Sequence, residues 1–243
     1  MDAAVSTILE SLPTRHRQVL LATATDWRDT RGELQLLSRN DTGWRPREGD
    51  TIGVSFGRGG FAWGSRRPGG RRADPVKTEG DGCSPVGIFG LGPAFGYASG
   101  PPAGCRLPYR QATDRDFWVD APEAPEYNRW VTLPAGEDPA TRWRCWERMR
   151  RDDAQYSMGL VVHYNLGPVR PGAGSAIFMH VWRAAGDSTA GCTAMNPEGM
   201  QEVLAWLDPA LRPVLLQGPL SALSLLATPP LPGAPGGSGD DST

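Results

Sequence analysis

One histidine and one cysteine stand close enough in this chain to do chemistry together. In SAIFMHVWRAAGDSTAGCTAM, residues 175–195, His180 lies near the end of an apolar run. Cys192 follows twelve positions later in a turn of small residues, Thr189-Ala190-Gly191-Cys192-Thr193. The thiolate is the nucleophilic form of cysteine, and an imidazole within reach takes the thiol proton or pairs with the thiolate. Strand alternation puts His180 on one face with Phe178 and Trp182. The eleven intervening residues are enough to return the thiol to the strand end it left. Gly191 leaves the backbone free to turn the N–H groups of Gly191 and Cys192 into one pocket, an oxyanion hole for a tetrahedral intermediate. A blander reading fits as well, because cysteine is among the most buried residue types and a Cys–His neighbour pair arises by chance.

The other candidates are few. There are three histidines in all, His16, His163 and His180. His163, in GLVVHYN, shares a face with Val161 and Asn165; it reads as a hydrogen-bonded structural residue, or as part of the same cleft if its strand neighbours that of His180. His16 precedes the first strand and is expected at the surface. Thr189 stands beside the expected nucleophile. Arg183, beside the strand end, and Tyr109-Arg110 suit substrate carboxylates or a lid, and suit a solvated surface equally. Four cysteines occur, Cys83, Cys105, Cys145 and Cys192, without any C-x-x-C pair, so zinc-ribbon and thioredoxin-like readings lack their signature. Cys83 and Cys105 flank a Gly/Pro-rich segment and are the pair expected to bond in an oxidising compartment.

These residues need a scaffold, and composition narrows it. The 31 glycines and 23 prolines among 243 residues exclude a long helical bundle, while nine tryptophans and 39 % apolar content point to a folded, β-rich, loop-heavy chain. The formal charge is −2, from 25 basic and 27 acidic residues, without the basic surplus of a nucleic-acid binder. Lys77 is the sole lysine. No apolar run reaches the length of a membrane span. The N-terminus lacks the basic and apolar regions of a secretion signal, so the chain is expected to be cytoplasmic or to start after a removed leader.

Residues 17–25 and 33–39 read as a β-hairpin, 51–57 as a third strand and 85–91 as a fourth. The intervening Arg/Gly-rich segment, 57–75, is expected to be an exposed mobile loop. The aromatic-rich stretch 92–140 reads as an ordered excursion, 141–153 as a short charged helix, and 159–165 and 175–182 as strands. Asn196-Pro197-Glu198 opens a helix whose stripe is Met200, Val203, Leu204 and Leu207, ended by Asp208-Pro209. The tail TPPLPGAPGGSGDDST is expected to be disordered.

The motif around Cys192 resembles the active-site signature of the L,D-transpeptidase catalytic domain (YkuD-type) family: a strand-end histidine, a variable loop, then Ser/Thr-His-Gly-Cys. His180, Thr189, Gly191 and Cys192 match it. Upstream, Ser84-Pro85-Val86-Gly87-Ile88-Phe89 is similar to the family's Thr-Pro-x-Gly-x-Phe strand, and 117–131 and 159–165 resemble a divergent branch. The similarity spans roughly residues 17–208. Two features depart from the pattern: Ala190 replaces the second motif histidine, and the His-to-Cys spacing is shorter than in the commonest members.

The resemblance implies a mainly β fold with a few short helices, a β-sandwich or barrel-type domain over 17–226, with 1–16 an N-terminal extension and 227–243 a tail. It also implies a peptidoglycan L,D-transpeptidase. Cys192 attacks an L,D peptide bond of a stem peptide, and His180 serves as base and then acid, with its other nitrogen held by a backbone carbonyl such as that of Val181. Gly191 and Cys192 hold the oxyanion, and an amine of a second stem resolves the thioester. Thr189, Arg183, Tyr109, Arg110 and His163 would then contact substrate. No metal or cofactor is implied. Carbapenems are the expected covalent inhibitors, and the periplasm or cell envelope is the expected site of action. The alternatives are an L,D-carboxypeptidase or amidase using the same thiol, a catalytically idle wall-binding module, and a redox thiol protein.

Overall fold

The structure is a computed structural model that describes residues 2–49, 51–64 and 75–226. The expected tail, 227–243, and residues 65–74 of the expected loop lie outside the described residues. The expected hairpin forms from β1 (Gln18–Ala24) and β2 (Arg31–Asn40), antiparallel with Leu20 opposite Leu36. Then come β3 (Gly43–Pro46), β4 (Ile52–Ser55) and β5 (Phe61–Trp63). Next are the long β6 (Ser84–Gly96), the short β7 (Tyr109–Gln111), β11 (Met158–Val162), β12 (Phe178–Val181), β13 (Thr193–Met195) and β14 (Val214–Pro219).

Strand pairing runs β1-β14-β6-β11-β12-β13-β4-β2, and β2 pairs again with β1, which closes the sheet into a barrel. Closure leaves none of these strands with an unpaired edge and encloses one apolar interior. Leu20, Leu34, Phe56, Phe61, Trp63, Leu160, Met179 and Met195 fill it, with Met200, Val203 and Leu204 from the helix α2 (Pro197–Trp206) and Leu207 that caps its C-terminus. That helix starts as its sequence dictates: the Asn196 side chain accepts from the Gly199 N–H at 3.0 Å, and Pro197 takes the first position, where no N–H is needed.

Three segments depart from expectation. Residues 61–63, read as part of a loop, are fully buried and pair in parallel with Ser84–Val86, because Phe61 and Trp63 gain more from the interior than from solvent. The N-terminal segment forms α1 (Ala3–Ser11), capped by Asp2, and its Val5, Ile8 and Leu9 pack on Val19, Leu37 and Val214 outside the barrel. A short helix α3 (Leu220–Leu226) follows β14.

The aromatic excursion is ordered, as expected. It builds a second, antiparallel sheet from β8 (Asp116–Val119), β9 (Arg129–Thr132) and β10 (Trp146–Arg148), in the order β10-β8-β9. The charged helix expected over 141–153 is therefore absent. Only a 3₁₀ turn, Pro139–Thr141, precedes β10, whose Trp146 and Arg148 pair with Val119 and Phe117. Cross-strand partners supplied from far along the chain override the local helical tendency of this segment. A separate core of Phe117, Val119, Leu133 and Trp143 holds the small sheet together. Among the described residues no helix is long and apolar enough to cross a membrane.

Candidate active site

β12 and β13 lie side by side in parallel, with Met179 opposite Thr193 and His180 opposite Ala194. The connecting loop thus carries the chain past the strand end it left and back to the start of its neighbour. Cys192, immediately before β13, comes to rest beside Phe178. The Phe178 N–H donates to Cys192 Sγ at 3.3 Å, and the thiol donates to the Ala176 carbonyl at 3.3 Å. Ala176 has φ +53°, a left-handed conformation that is uncommon for a residue with a side chain. Its N–H donates to Asn128 Oδ1, which also accepts from Trp118 Nε1 at 2.9 Å. The Asn128 amide donates to the carbonyls of Tyr164 and Asn165. This buried side chain fixes the turn that aims a carbonyl at the thiol. No motif marked Asn128; its position in the mixed turn APEYNRW was the only signal.

His180 and Cys192 are both buried and both line one cavity of about 270 Å³. His180 Nδ1 lies 2.8 Å from the Val181 carbonyl, the kind of partner the resemblance implied. A carbonyl only accepts, so Nδ1 carries the proton and Nε2 is left as the basic nitrogen. The His180 ring meets the Tyr156 ring edge-on, with centroids 5.2 Å apart, and Tyr156 packs in turn on Phe178 and Phe95. Gly159 stands opposite His180 on β11, where an added Cβ would lie 2.3 Å from the Phe95 ring. The imidazole is therefore held by a backbone acceptor on one side and an aromatic stack on the other.

Burial sets the charge state. It lowers the His180 pKa to about 4, despite the favourable contact with Val181. It raises that of Cys192 to about 12, with the negative charge of Glu147 adding to the effect. The resting pair is a neutral thiol and a neutral imidazole, and no hydrogen bond joins them: the thiol proton is given to Ala176.

The turn before the thiol is tied down by side chains. Thr189 Oγ1 accepts from the Gly191 N–H at 3.0 Å and donates to the Cys192 carbonyl at 2.7 Å. Ser84 Oγ, from the strand that resembles the family's entry strand, donates to the same carbonyl at 3.2 Å. Gly191 has φ +143°, and a Cβ there would approach the Cys83 carbonyl to 2.9 Å, so glycine is required. Its N–H is engaged by Thr189 rather than turned freely into the cavity. Ala190, at the place of the missing histidine, lines the cavity with a methyl group.

The remaining expected residues scatter. Arg183 pairs with Asp187 at 2.9 Å and lines a smaller adjoining cavity of about 200 Å³ that also reaches His180 and Thr189. Tyr109 donates to the Ala98 carbonyl, and Arg110 binds Asp116 and Thr132 while lying over the Trp130 ring; neither lines the catalytic cavity. A β-bulge in β11 breaks the alternation on which the placement of His163 rested. The residue is exposed in a separate groove of about 930 Å³, lying over the glycine backbone at Gly90 and Gly92. His16 is partly exposed and contacts the Arg212 carbonyl at 2.7 Å. All four cysteines are free, so Cys83 and Cys105 are not bonded to each other.

What the sequence reading missed is the charge around the thiol. Arg58, Lys77, Glu79, Asp120, Glu147 and Arg151 share the cavity with Cys192. Three of these come from the small sheet and the segment after it. Residues that meet only through a second sheet carry no local spacing signal.

Among the described residues, no group of His, Cys, Asp and Glu side chains converges as metal ligands. No curated protein and no solved structure matches the chain. A family model described as the L,D-transpeptidase catalytic domain matches residues 33–216, from β2 into β14, and so contains the whole cavity. With that match over most of its length, the chain belongs to the L,D-transpeptidase catalytic domain (YkuD) family.

Proposed function

We propose that this protein is a peptidoglycan L,D-transpeptidase acting through a Cys192 thioester. The observation that carries the reading is the delivery of Cys192 and His180, from adjacent parallel strands, to one cavity within the family domain. Because the resting pair is neutral, the thiol proton turns from the Ala176 carbonyl to His180 Nε2 as the thiol attacks the carbonyl of the donor's L-residue. The D-residue leaves as an amine and takes that proton from His180. The N–H of Cys192 faces the tetrahedral oxygen, and the Gly191 N–H joins it when Thr189 releases its bond. An amine of an acceptor stem then displaces the thiol and makes the cross-link. Peptidoglycan is an envelope polymer, so this reading expects an exported protein.

The test is incubation of the pure protein with disaccharide-tetrapeptide. Cross-linked dimers are expected; trimmed monomers alone would replace the transferase with a hydrolase using the same thiol. Intact-mass measurement after carbapenem exposure is expected to show one adduct that disappears in Cys192→Ala. No adduct under any condition would favour an idle wall-binding module.

A further inference from the structure

Two kinds of charge line the catalytic cavity, and they are not equivalent. Of its cations, Lys77 is already paired with Asp81 at 2.8 Å and Arg151 with Asp153 at 3.1 Å, while Arg58 stands exposed with no carboxylate partner among the described residues. None of its three carboxylates forms a salt bridge among the described residues, and Arg151 acts on Glu147 only at longer range. Glu79 accepts from the hydroxyls of Tyr127 and Ser175. Asp120 keeps one oxygen buried without any hydrogen bond. Glu147 accepts from the Tyr156 hydroxyl at 2.5 Å, and that same Tyr156 ring packs on His180. Neutral donors orient these carboxylates without cancelling their charge. Carboxylates gathered beside a nucleophile without a salt-bridge partner suit a cationic ligand, and among the described residues they do not converge as a metal site.

We propose that Glu147, oriented by Tyr156 next to His180 and Cys192, receives the ammonium of the amine acceptor and takes its first proton. This inference rests on the transferase reading above and assigns the acceptor half of that reaction to the small sheet. Asp120 and Glu79 add negative potential at Glu147, and Arg151 opposes it. Burial and these acidic neighbours raise the Glu147 pKa, which suits a base that must accept a proton from an ammonium.

The step balances as follows. The acceptor ammonium gives one proton to the Glu147 carboxylate, and the neutral amine attacks the thioester carbonyl. A C–N bond forms and the C–S bond breaks. The second amine proton passes to His180 and then to the departing sulfur, which restores the neutral pair, and Glu147 returns its proton to solvent. Before the acceptor arrives, the charge of Glu147 opposes the thiolate; a bound ammonium offsets that opposition. Water carries no charge for Glu147 to attract, so the carboxylate enriches the ammonium acceptor and favours transfer over hydrolysis.

Glu147→Gln tests this, because the amide oxygen still accepts from Tyr156 while the charge is gone. With disaccharide-tetrapeptide as donor, release of the D-residue reports acylation. The ratio of amide product to hydrolysed product is then read by mass spectrometry with two acceptors. Nα-acetyl-lysine is cationic at pH 7.5, and hydroxylamine is neutral there. The variant is expected to acylate faster than wild type, because the charge that opposes the thiolate is gone, to lose about tenfold or more in transfer to Nα-acetyl-lysine relative to hydrolysis, and to keep transfer to hydroxylamine. An acylating variant with an unchanged ratio for both acceptors would overturn the inference and leave the transferase reading standing. Equal loss with both acceptors would also overturn it, by making Glu147 a structural residue. A wild-type protein that never acylates would overturn the transferase reading and this inference together.

Discussion

The barrel wall and the small sheet meet at one cavity and bring opposite things to it. From the barrel come Cys192 and His180, both buried, both neutral, each held by backbone: the thiol between Ala176 and Phe178, the imidazole against Val181. The small sheet and the segment after it supply Asp120, Glu147 and Arg151, which are half-buried or exposed and held by side chains. The barrel is closed by strand pairing and positions its groups rigidly. The small sheet has its own core and touches the site through long side chains. The transfer reaction we propose needs a fixed nucleophile and a selective approach for its second substrate, and it divides along that line. The barrel carries the family motif, and the small sheet and the segment after it bring Asp120, Glu147 and Arg151 to the cavity.

Substitutions on the two sides should therefore fail differently. Cys192→Ala is expected to abolish turnover and covalent labelling while leaving the melting temperature close to wild type; surviving product would move the nucleophile elsewhere. His180→Gln should cost about 10²- to 10⁴-fold in acylation, read as the initial rate of D-residue release. A smaller loss would show that the Ala176 contact, not the imidazole, governs the thiol proton.

On the small sheet the largest effect is structural. Asp116 is buried and accepts from Thr113, Thr132, Trp130 and Arg110. Burial pushes its carboxyl up, but these donors outweigh that and hold it at about 2. Asp116→Asn is expected to cost about 2–4 kcal/mol, since several donors lose a charged acceptor at once, and chemical denaturation measures it. Barrel residues distant from this sheet should retain their hydrogen-exchange protection. Uniform loss of protection would make the two regions one cooperative unit.

Acidity separates the regions further. With His180 lowered to about 4 and Cys192 raised to about 12, acylation should be flat from about pH 5 to 10 and fall below that as His180 protonates. The folded His180 binds its proton more weakly than at the ordinary 6.5, so its share of stability is complete above 6.5 and is lost as pH falls through 4. His180→Gln should flatten that part of the stability curve. The smallest effect belongs to His163→Ala, expected within about threefold of wild type because the residue faces a separate groove. Equal losses at both histidines would break the assignment of the base.

Strands β1, β2, β4, β11 and β12 and the helix α2 were all legible, because alternation, helical spacing and capping act over a few residues. The pair Cys192 and His180 was legible for the same reason: one loop joins them. The helix expected over 141–153 failed because β8, which holds that segment extended, lies more than twenty residues upstream. Tyr109 and Arg110 lie outside the cavity for a similar reason, since the Ala98 carbonyl claims Tyr109 and Asp116 and Trp130 claim Arg110.

By itself, then, the sequence determined the β-rich class, the Cys192 and His180 pair within the family motif, and the glycine that the turn before the thiol requires. Tertiary structure alone decided that the thiol rests on Ala176, that the pair is neutral, and that unpaired carboxylates face it. Desolvation and charge coupling depend on every group packed around a site, and here those groups come from five separate stretches of the chain.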